Sequence, residues 1–289
     1  MELDEVLARA RKDVSSGASE ALARIIGDLI TVIIAGSPAL DTTAIKKFAF
    51  ELFEARSSMA PIFHLANLLL LFTEAPHHDM ERLKCELVAL DKKEREATKR
   101  IAGAFCHKIE GERFLLISCS GTVIEALSSL ASMRKITACV MESLPGGEGW
   151  RTARVLRDHG IETRVISDSM VFVEAENCDA GLSGADSMGE GGVVNKVGTH
   201  SLASACREYG IPCHILAGES KVLPFEAGDM MRTIEKKDGI ATLTQVFERV
   251  PLTMFDRWIN EDGVRDAMEV MARSHDLILA KAWGRTIRK

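Results

Sequence analysis

The chain has 289 residues, 46% hydrophobic and 27% charged, with 22 Gly and 7 Pro; this balance excludes a disordered, collagenous or membrane-embedded chain and leaves one large or two smaller globular domains. Acidic residues outnumber basic ones, 42 to 36, for a formal charge of -6, so a general basic footprint for nucleic acid is missing. The apolar runs at 29–34 and 68–72 fall far short of the roughly 20 residues that span a bilayer.

The N-terminus, Met1-Glu2-Leu3-Asp4-Glu5, lacks the basic head of a secretory signal, and the chain is expected to be cytoplasmic. Up to about residue 110 the apolar positions recur at three and four: Leu3, Val6, Leu7, Ala10; Leu22, Ile25, Ile26, Leu29; Ile45, Phe48, Leu52, Phe53. This spacing predicts successive amphipathic helices. Breaks are expected at Ser15-Ser16-Gly17, Gly36-Ser37-Pro38, Pro61 and Ala75-Pro76-His77-His78-Asp79. A long helix is expected over 79–109, with Glu81 facing Lys84 and Glu96 facing Lys99 on a solvated side.

After Gly111 the texture changes. Short Leu/Ile/Val-rich runs at 114–117, 136–141, 163–166, 180–182 and 214–217 alternate with amphipathic segments at 123–133, 152–159 and 199–209. That alternation predicts an α/β fold with a parallel sheet and crossover helices. The chain divides accordingly into a helical domain, 1–110, and a sheet domain, 111–289. Ligands of such sheets lie at the carboxyl ends of the strands, so chemistry is expected in the residues that follow each run.

Cys119, in Ser118-Cys119-Ser120-Gly121-Thr122, stands at a strand end and a helix start, where free amides and the helix dipole favour a thiolate and an anionic ligand. For that position alone, a small buried residue is the commoner role. Glu142 opens a loop with three glycines that ends at Trp150-Arg151, and a close approach to phosphate is one use for it; a surface turn with a solvated Arg is the other. The richest segment runs from Ser183 to Thr199. There Asp186 follows a strand, four glycines crowd the next dozen residues, and Asn195-Lys196 precedes a Gly-Thr expected to cap a helix. A carboxylate, an amide and an ammonium converging at a sheet edge grip a sugar oxygen and move its protons. Glu219, after the next strand, is placed to receive a hydroxyl, to orient Lys196 or to cap a turn. Seven scattered cysteines without a CxxC pair fit reduced thiols, and neither they nor His77, His78 and His107 have ligand spacing for a metal.

In their order these segments resemble the translation initiation factor 2B alpha/beta/delta family, which includes ribose 1,5-bisphosphate isomerase and methylthioribose 1-phosphate isomerase. The resemblance is carried by Gly184-Ala185-Asp186-Ser187 and Gly192-Val193-Val194-Asn195-Lys196-Val197-Gly198-Thr199, with Cys119, Glu142-Ser143, Pro145, Asp168-Ser169, Ala217-Gly218-Glu219-Ser220, Phe255-Asp256 and Glu261-Asp262-Gly263. It implies an N-terminal helical domain followed by a Rossmann-like sheet with helices on both faces. It also implies self-association as a homodimer or hexamer, a small phosphorylated sugar as ligand, and no cofactor. Cys119 and Asp186 occupy the positions of the isomerases' catalytic pair, which implies an aldose to ketose conversion of a ring-opened pentose 1-phosphate. Gly17, Ala18, Ser120, Gly121, Glu142, Asn195, Lys196 and Glu219 are the implied substrate contacts.

Two departures bear on the substrate. Ser16 and Leu144 stand where the isomerases carry arginines expected to meet phosphate. Two charge-assisted contacts, each worth roughly 1.5 to 3 kcal/mol, are thereby absent, and Arg56, Arg151 and Lys196 are the residues that could replace them. Beside the cysteine, Ser118-Cys119-Ser120 stands where the isomerases have His-Cys or Cys-Asn. The competing expectation is a non-catalytic regulatory subunit that binds a sugar phosphate or nucleotide. A cavity shared by Cys119 and Asp186 would favour the enzyme; one filled by Leu144 or Trp150 would favour the subunit.

Overall fold

The computed structural model describes residues 1–13, 16–36, 40–226, 230–273 and 277–284. Of the expected break residues, Ser15, Ser37 and Pro38 lie outside the described residues. Five helices come first: α1 (Leu3–Lys12), α2 (Ala18–Ala35), α3 (Thr42–Ala55), α4 (Ala60–Glu74) and α5 (Met80–Lys108). The carboxylates of Asp41 and Asp79 accept from the amides of Ala44 (2.7 Å) and Glu81 (2.9 Å), which satisfies donors that the first turns of α3 and α5 leave free. Pro61, expected as a break, lies instead in the first turn of α4, where its missing N–H costs no helical bond. On α5, Lys84 pairs with Glu81 as expected, whereas Glu96 pairs with Lys92 at 3.7 Å and not with Lys99, one turn back in place of one turn forward.

The apolar stripes of α1 to α4 meet in one core. Helix α4 is buried nearly all round, Asn67 included. Its Oδ1 accepts from the Ala280 amide and the Trp283 indole N–H, both at 2.9 Å, and its Nδ2 donates to the Ile278 carbonyl at 2.9 Å. Residues 277–284 thus pack against the helical core, where Trp283 is buried.

In chain order the strands are β1 (Arg113–Leu116), β2 (Thr137–Met141), β3 (Glu162–Ile166), β4 (Ala180–Ser183), β5 (Ser187–Gly189), β6 (Gly192–Lys196), β7 (Cys213–Leu216), β8 (Arg232–Lys237), β9 (Ile240–Gln245), β10 (Phe247–Val250), β11 (Arg257–Asn260) and β12 (Gly263–Asp266). The main sheet runs β12-β11-β7-β4-β1-β2-β3, parallel except where β12 returns antiparallel on β11. Helices α6 (Gly121–Ala131), α7 (Gly149–Asp158), α8 (Val171–Ala175), α9 (Thr199–Glu208) and α10 (Val270–Arg273) complete the α/β fold. Alternate residues of β1 enter different cores: Phe114 and Leu116 pack with Phe105 and Leu127, and Leu115 shares a cluster with Leu202. Burial on both faces is why the inner strands β1, β2, β4 and β7 read as apolar runs, whereas β3, at the sheet edge, is half-exposed and carries Glu162 and Arg164.

Two features depart from the sequence pattern. The glycine-rich segment after β4 is itself β structure: β5, β6 and β10 form a second, antiparallel sheet. The expected Gly-Thr cap is also different. The Glu248 carboxylate accepts from the amides of Gly198 and His200, both at 2.8 Å, while the Thr199 hydroxyl donates to the Lys196 carbonyl. Neighbouring β10 delivers that carboxylate, so sequence spacing along α9 carries no trace of it. No helix among the described residues is long and apolar enough to cross a membrane.

Candidate active site

Strands β1 and β4 are neighbours at the centre of the main sheet, but β1 connects through α6 to β2 on one side and β4 leads on to β7 on the other. This is the switch point of an open α/β sheet, where a crevice forms outside the strand ends. Cys119 follows β1 and Asp186 follows β4, and both line one cavity of about 360 Å³. Its other walls are the first turn of α2, the start of α6, Arg151 of α7, and Lys221.

The loops that hold the two residues are tightly fitted. An added Cβ on Gly184 would lie 2.6 Å from the Ser120 hydroxyl, and one on Gly17 would lie 3.2 Å from the Cys119 carbonyl. Both glycines allow a close approach that a side chain would block. The Ser120 side chain accepts from the Val123 amide at 3.4 Å at the head of α6. Gly17 caps α2 with no side chain to occupy its amides. Two helix N-termini therefore present N–H groups and positive dipole ends to the same space, a setting for an anion.

Asp186 is buried; the Ala18 amide donates to its Oδ1 at 3.3 Å. Burial raises its pKa and the charge of Glu148 pushes the same way, while Lys221, the Ala18 hydrogen bond and Arg56 pull it down; the net direction is upward, toward a protonated carboxyl. Lys221 is also buried, its Nζ donating to the Ser19 hydroxyl at 2.9 Å, and burial lowers its pKa against the pull of Glu94 and Asp186. Arg151 pairs with Glu20 at 2.8 Å, which raises its pKa, and lies within electrostatic reach of Cys119. Cys119 itself is half-buried, and all seven cysteines are free thiols.

Of the residues expected from the sequence, Gly17, Ala18, Ser120, Gly121, Arg151 and Asn195 line this cavity with Cys119 and Asp186. Asn195 is held from behind, its Nδ2 donating to the hydroxyls of Ser183 and Thr199 at 3.0 Å each. Four others lie elsewhere. Arg56 lines a neighbouring cavity and donates to the Ala10 carbonyl at 3.0 and 2.6 Å; burial lowers its pKa. Glu142 accepts from the Trp150 indole N–H at 3.1 Å. Lys196 pairs with Glu148 at 3.0 Å, and Glu219 with Arg273 at 2.9 Å, so Glu219 does not orient Lys196. Leu144 and Trp150, 52% and 48% exposed, do not fill the cavity.

Lys221, Ser19 and Glu20 are cavity residues that sequence reasoning missed. Lys221 does follow a strand end, the one signal that could have found it, but a lysine in a turn ordinarily reads as solvated. Only the tertiary fold turns Lys221 inward, to meet the first turn of α2 across 202 residues of chain.

The chain matches the Initiation factor 2 subunit family over residues 5–259. It is 28% identical over 238 residues, 79% of this chain and 84% of the relative, to an eIF-2B subunit 2-like protein of Pyrococcus furiosus. It is 30% identical over 187 residues, 63% of this chain and 55% of the relative, to ribose 1,5-bisphosphate isomerase of Haloterrigena turkmenica. Among solved structures, translation initiation factor eIF-2B of Pyrococcus horikoshii OT3 superposes with a TM-score of 0.79 at 24% identity, covering 91% of this chain and 96% of that one. At that identity the superposition speaks for the shared fold.

Proposed function

This chain belongs to the Initiation factor 2 subunit family, and from that premise we propose that it is a sugar-phosphate aldose to ketose isomerase working through Cys119 and Asp186. One observation carries the reading: a thiol and a buried carboxyl whose pKa is raised by burial line one cavity at the sheet's switch point, together with two helix N-termini and Lys221. A relative named ribose 1,5-bisphosphate isomerase supports it.

In this reading the phosphate of a pentose 1-phosphate rests against Lys221 and the amides that open α2 and α6. Asp186 donates its proton to the ring oxygen as the bond from that oxygen to C1 breaks. The Cys119 thiolate removes the proton on C2, forming the enol across C1 and C2, and returns that proton to C1. The C2 hydroxyl gives its proton back to Asp186 as the ketone forms, so thiolate and carboxyl end as they began. The helices of residues 1–110 close the site and residues 111–289 carry the reacting groups; self-association as a dimer, or a hexamer built from dimers, belongs to the same proposal.

A phosphorus NMR time course with ribose 1-phosphate, ribose 1,5-bisphosphate and methylthioribose 1-phosphate tests it. Conversion of one of them that vanishes in Cys119→Ala is the expected result. Binding without conversion would overturn it in favour of a regulatory subunit, the reading that the eIF-2B subunit 2-like relative favours.

A further inference from the structure

Strand β6 sends successive side chains to opposite faces. Asn195 lines the cavity, and Lys196, next to it, does not. The Lys196 side chain is 3% exposed, and its Nζ lies 3.0 Å from Oε1 of Glu148, itself 13% exposed. The loop before α7 is shaped around that carboxylate: a Cβ on Gly146 would lie 2.3 Å from Glu148 Oε1. The second oxygen, Oε2, is buried without a hydrogen-bond partner. Glu148 is near enough for its charge to act on Asp186.

The pairing leaves the site with little free positive charge. Arg151 is taken by Glu20. Arg56 lies outside the cavity, against the Ala10 carbonyl. Among the described residues, Lys221 is the cavity-lining cation with no carboxylate at ion-pair distance; its partner is a hydroxyl. One phosphate group is matched by one ammonium and the helix amides. A second would have to be desolvated with no uncompensated cation to receive it, while the carboxylates of Glu148 and Glu20 remain close by.

We propose that Glu148 is a specificity-determining residue: by neutralising Lys196 it restricts the cavity to ligands that carry a single phosphate group. The proposal rests on the sugar-phosphate reading of the site and adds which sugar phosphates it accepts.

Its test separates the two. Binding of ribose 1-phosphate and of ribose 1,5-bisphosphate is measured by calorimetry on full-length Cys119→Ala, so that turnover does not disturb the titration. The monophosphate is expected to bind at least about tenfold tighter, the scale of a single charge-assisted hydrogen bond. Adding Glu148→Gln releases the Lys196 charge and is expected to shift the ratio at least about tenfold toward the bisphosphate. Glu148→Asp, which keeps the charge, retains the preference. Glu148→Gln combined with Lys196→Met removes both charges and also retains it, which guards against a single variant that fails to fold. Equal or tighter binding of the bisphosphate by the parent, an unchanged ratio in folded Glu148→Gln, or no binding of either sugar overturns the proposal. The isomerase reading is judged separately, by Cys119-dependent conversion in the wild type. A monophosphate preference without conversion would sink that reading and leave the assignment of Glu148 standing.

Discussion

The Ser118 amide donates to the Ser143 hydroxyl at 2.8 Å, and the two serines have nearly the same left-handed backbone, φ +64° and +65°. This bond ties the loop that carries Cys119 to the loop after β2. Asp168 ties that second loop to the end of β3, its two oxygens accepting from the amides of Ser143 (2.7 Å) and Leu144 (2.8 Å). Thr152 of α7 completes the clasp, its hydroxyl donating to the Ser118 carbonyl at 2.7 Å. The thiol's position is set by three strand ends together.

The two serines are expected to respond in opposite directions. Ser143→Ala leaves the Ser118 amide without its acceptor, and a loss of about 1 to 3 kcal/mol in stability is expected together with a fall in turnover. Ser118 enters the clasp through backbone atoms alone, so Ser118→Gly removes the left-handed penalty of a side chain, and a gain of about 1 kcal/mol is expected. Urea midpoints and initial rates for both variants check the contrast.

Gly184 sets the spacing between the Cys119 and Asp186 loops. In Gly184→Ala the new Cβ would stand 2.6 Å from the Ser120 hydroxyl and 2.8 Å from its Cβ, so one loop must move. A shift of about 1 Å in a reacting group costs on the order of a hundredfold in rate, with the fold intact. Ser120→Gly removes both clashing atoms and loses only the weak cap on Val123, so the double variant is expected to recover most of the rate. No recovery would mean that Gly184 matters for some other reason than this contact.

Asn67 is the anchor of the chain's C-terminal return. Asn67→Ala would strand the Ala280 amide and the Trp283 indole N–H inside the helical core. Two orphaned donors predict a loss of about 2 to 5 kcal/mol. Trp283 fluorescence is expected to lose its cooperative transition at lower denaturant than the wild type, and an unchanged midpoint would count against the anchor.

Burial lowers His64 and His214 to about 4, the Val222 carbonyl opposing the shift in the first and Asp256 in the second. Histidine in the unfolded chain titrates near 6.5. The unfolded state therefore takes up protons that the folded state refuses, so stability is full above about 6.5 and is lost as pH falls toward 4. Each group can account for at most about 3 kcal/mol. Thermal melts from pH 7 to 4 are expected to slope accordingly, and His64→Gln, which keeps a donor for the Val222 carbonyl at 3.1 Å, should flatten that slope.

The amino-acid sequence by itself determined the five apolar runs that became β1 to β4 and β7, the helices between them, and Cys119 and Asp186 at two strand ends. All but the edge strand β3, which is half-exposed, are readable because a parallel strand buried on both faces is a near-continuous apolar run, and strand ends in such a sheet are where backbone amides are free. The glycine-rich β5 and β6 were not readable: β5 pairs with β6, β6 pairs in turn with β10 more than fifty residues on, and buried glycines, Asn195 and Lys196 break any alternation. Only the tertiary structure decided how the charges are allotted. Glu148 takes Lys196, Glu20 takes Arg151, and Lys221 is left facing the cavity. Glu148 reaches the buried Lys196 ammonium from a loop 48 residues away, where the low dielectric strengthens the pairing, and Glu20 of α2 reaches the more exposed Arg151 across 131 residues.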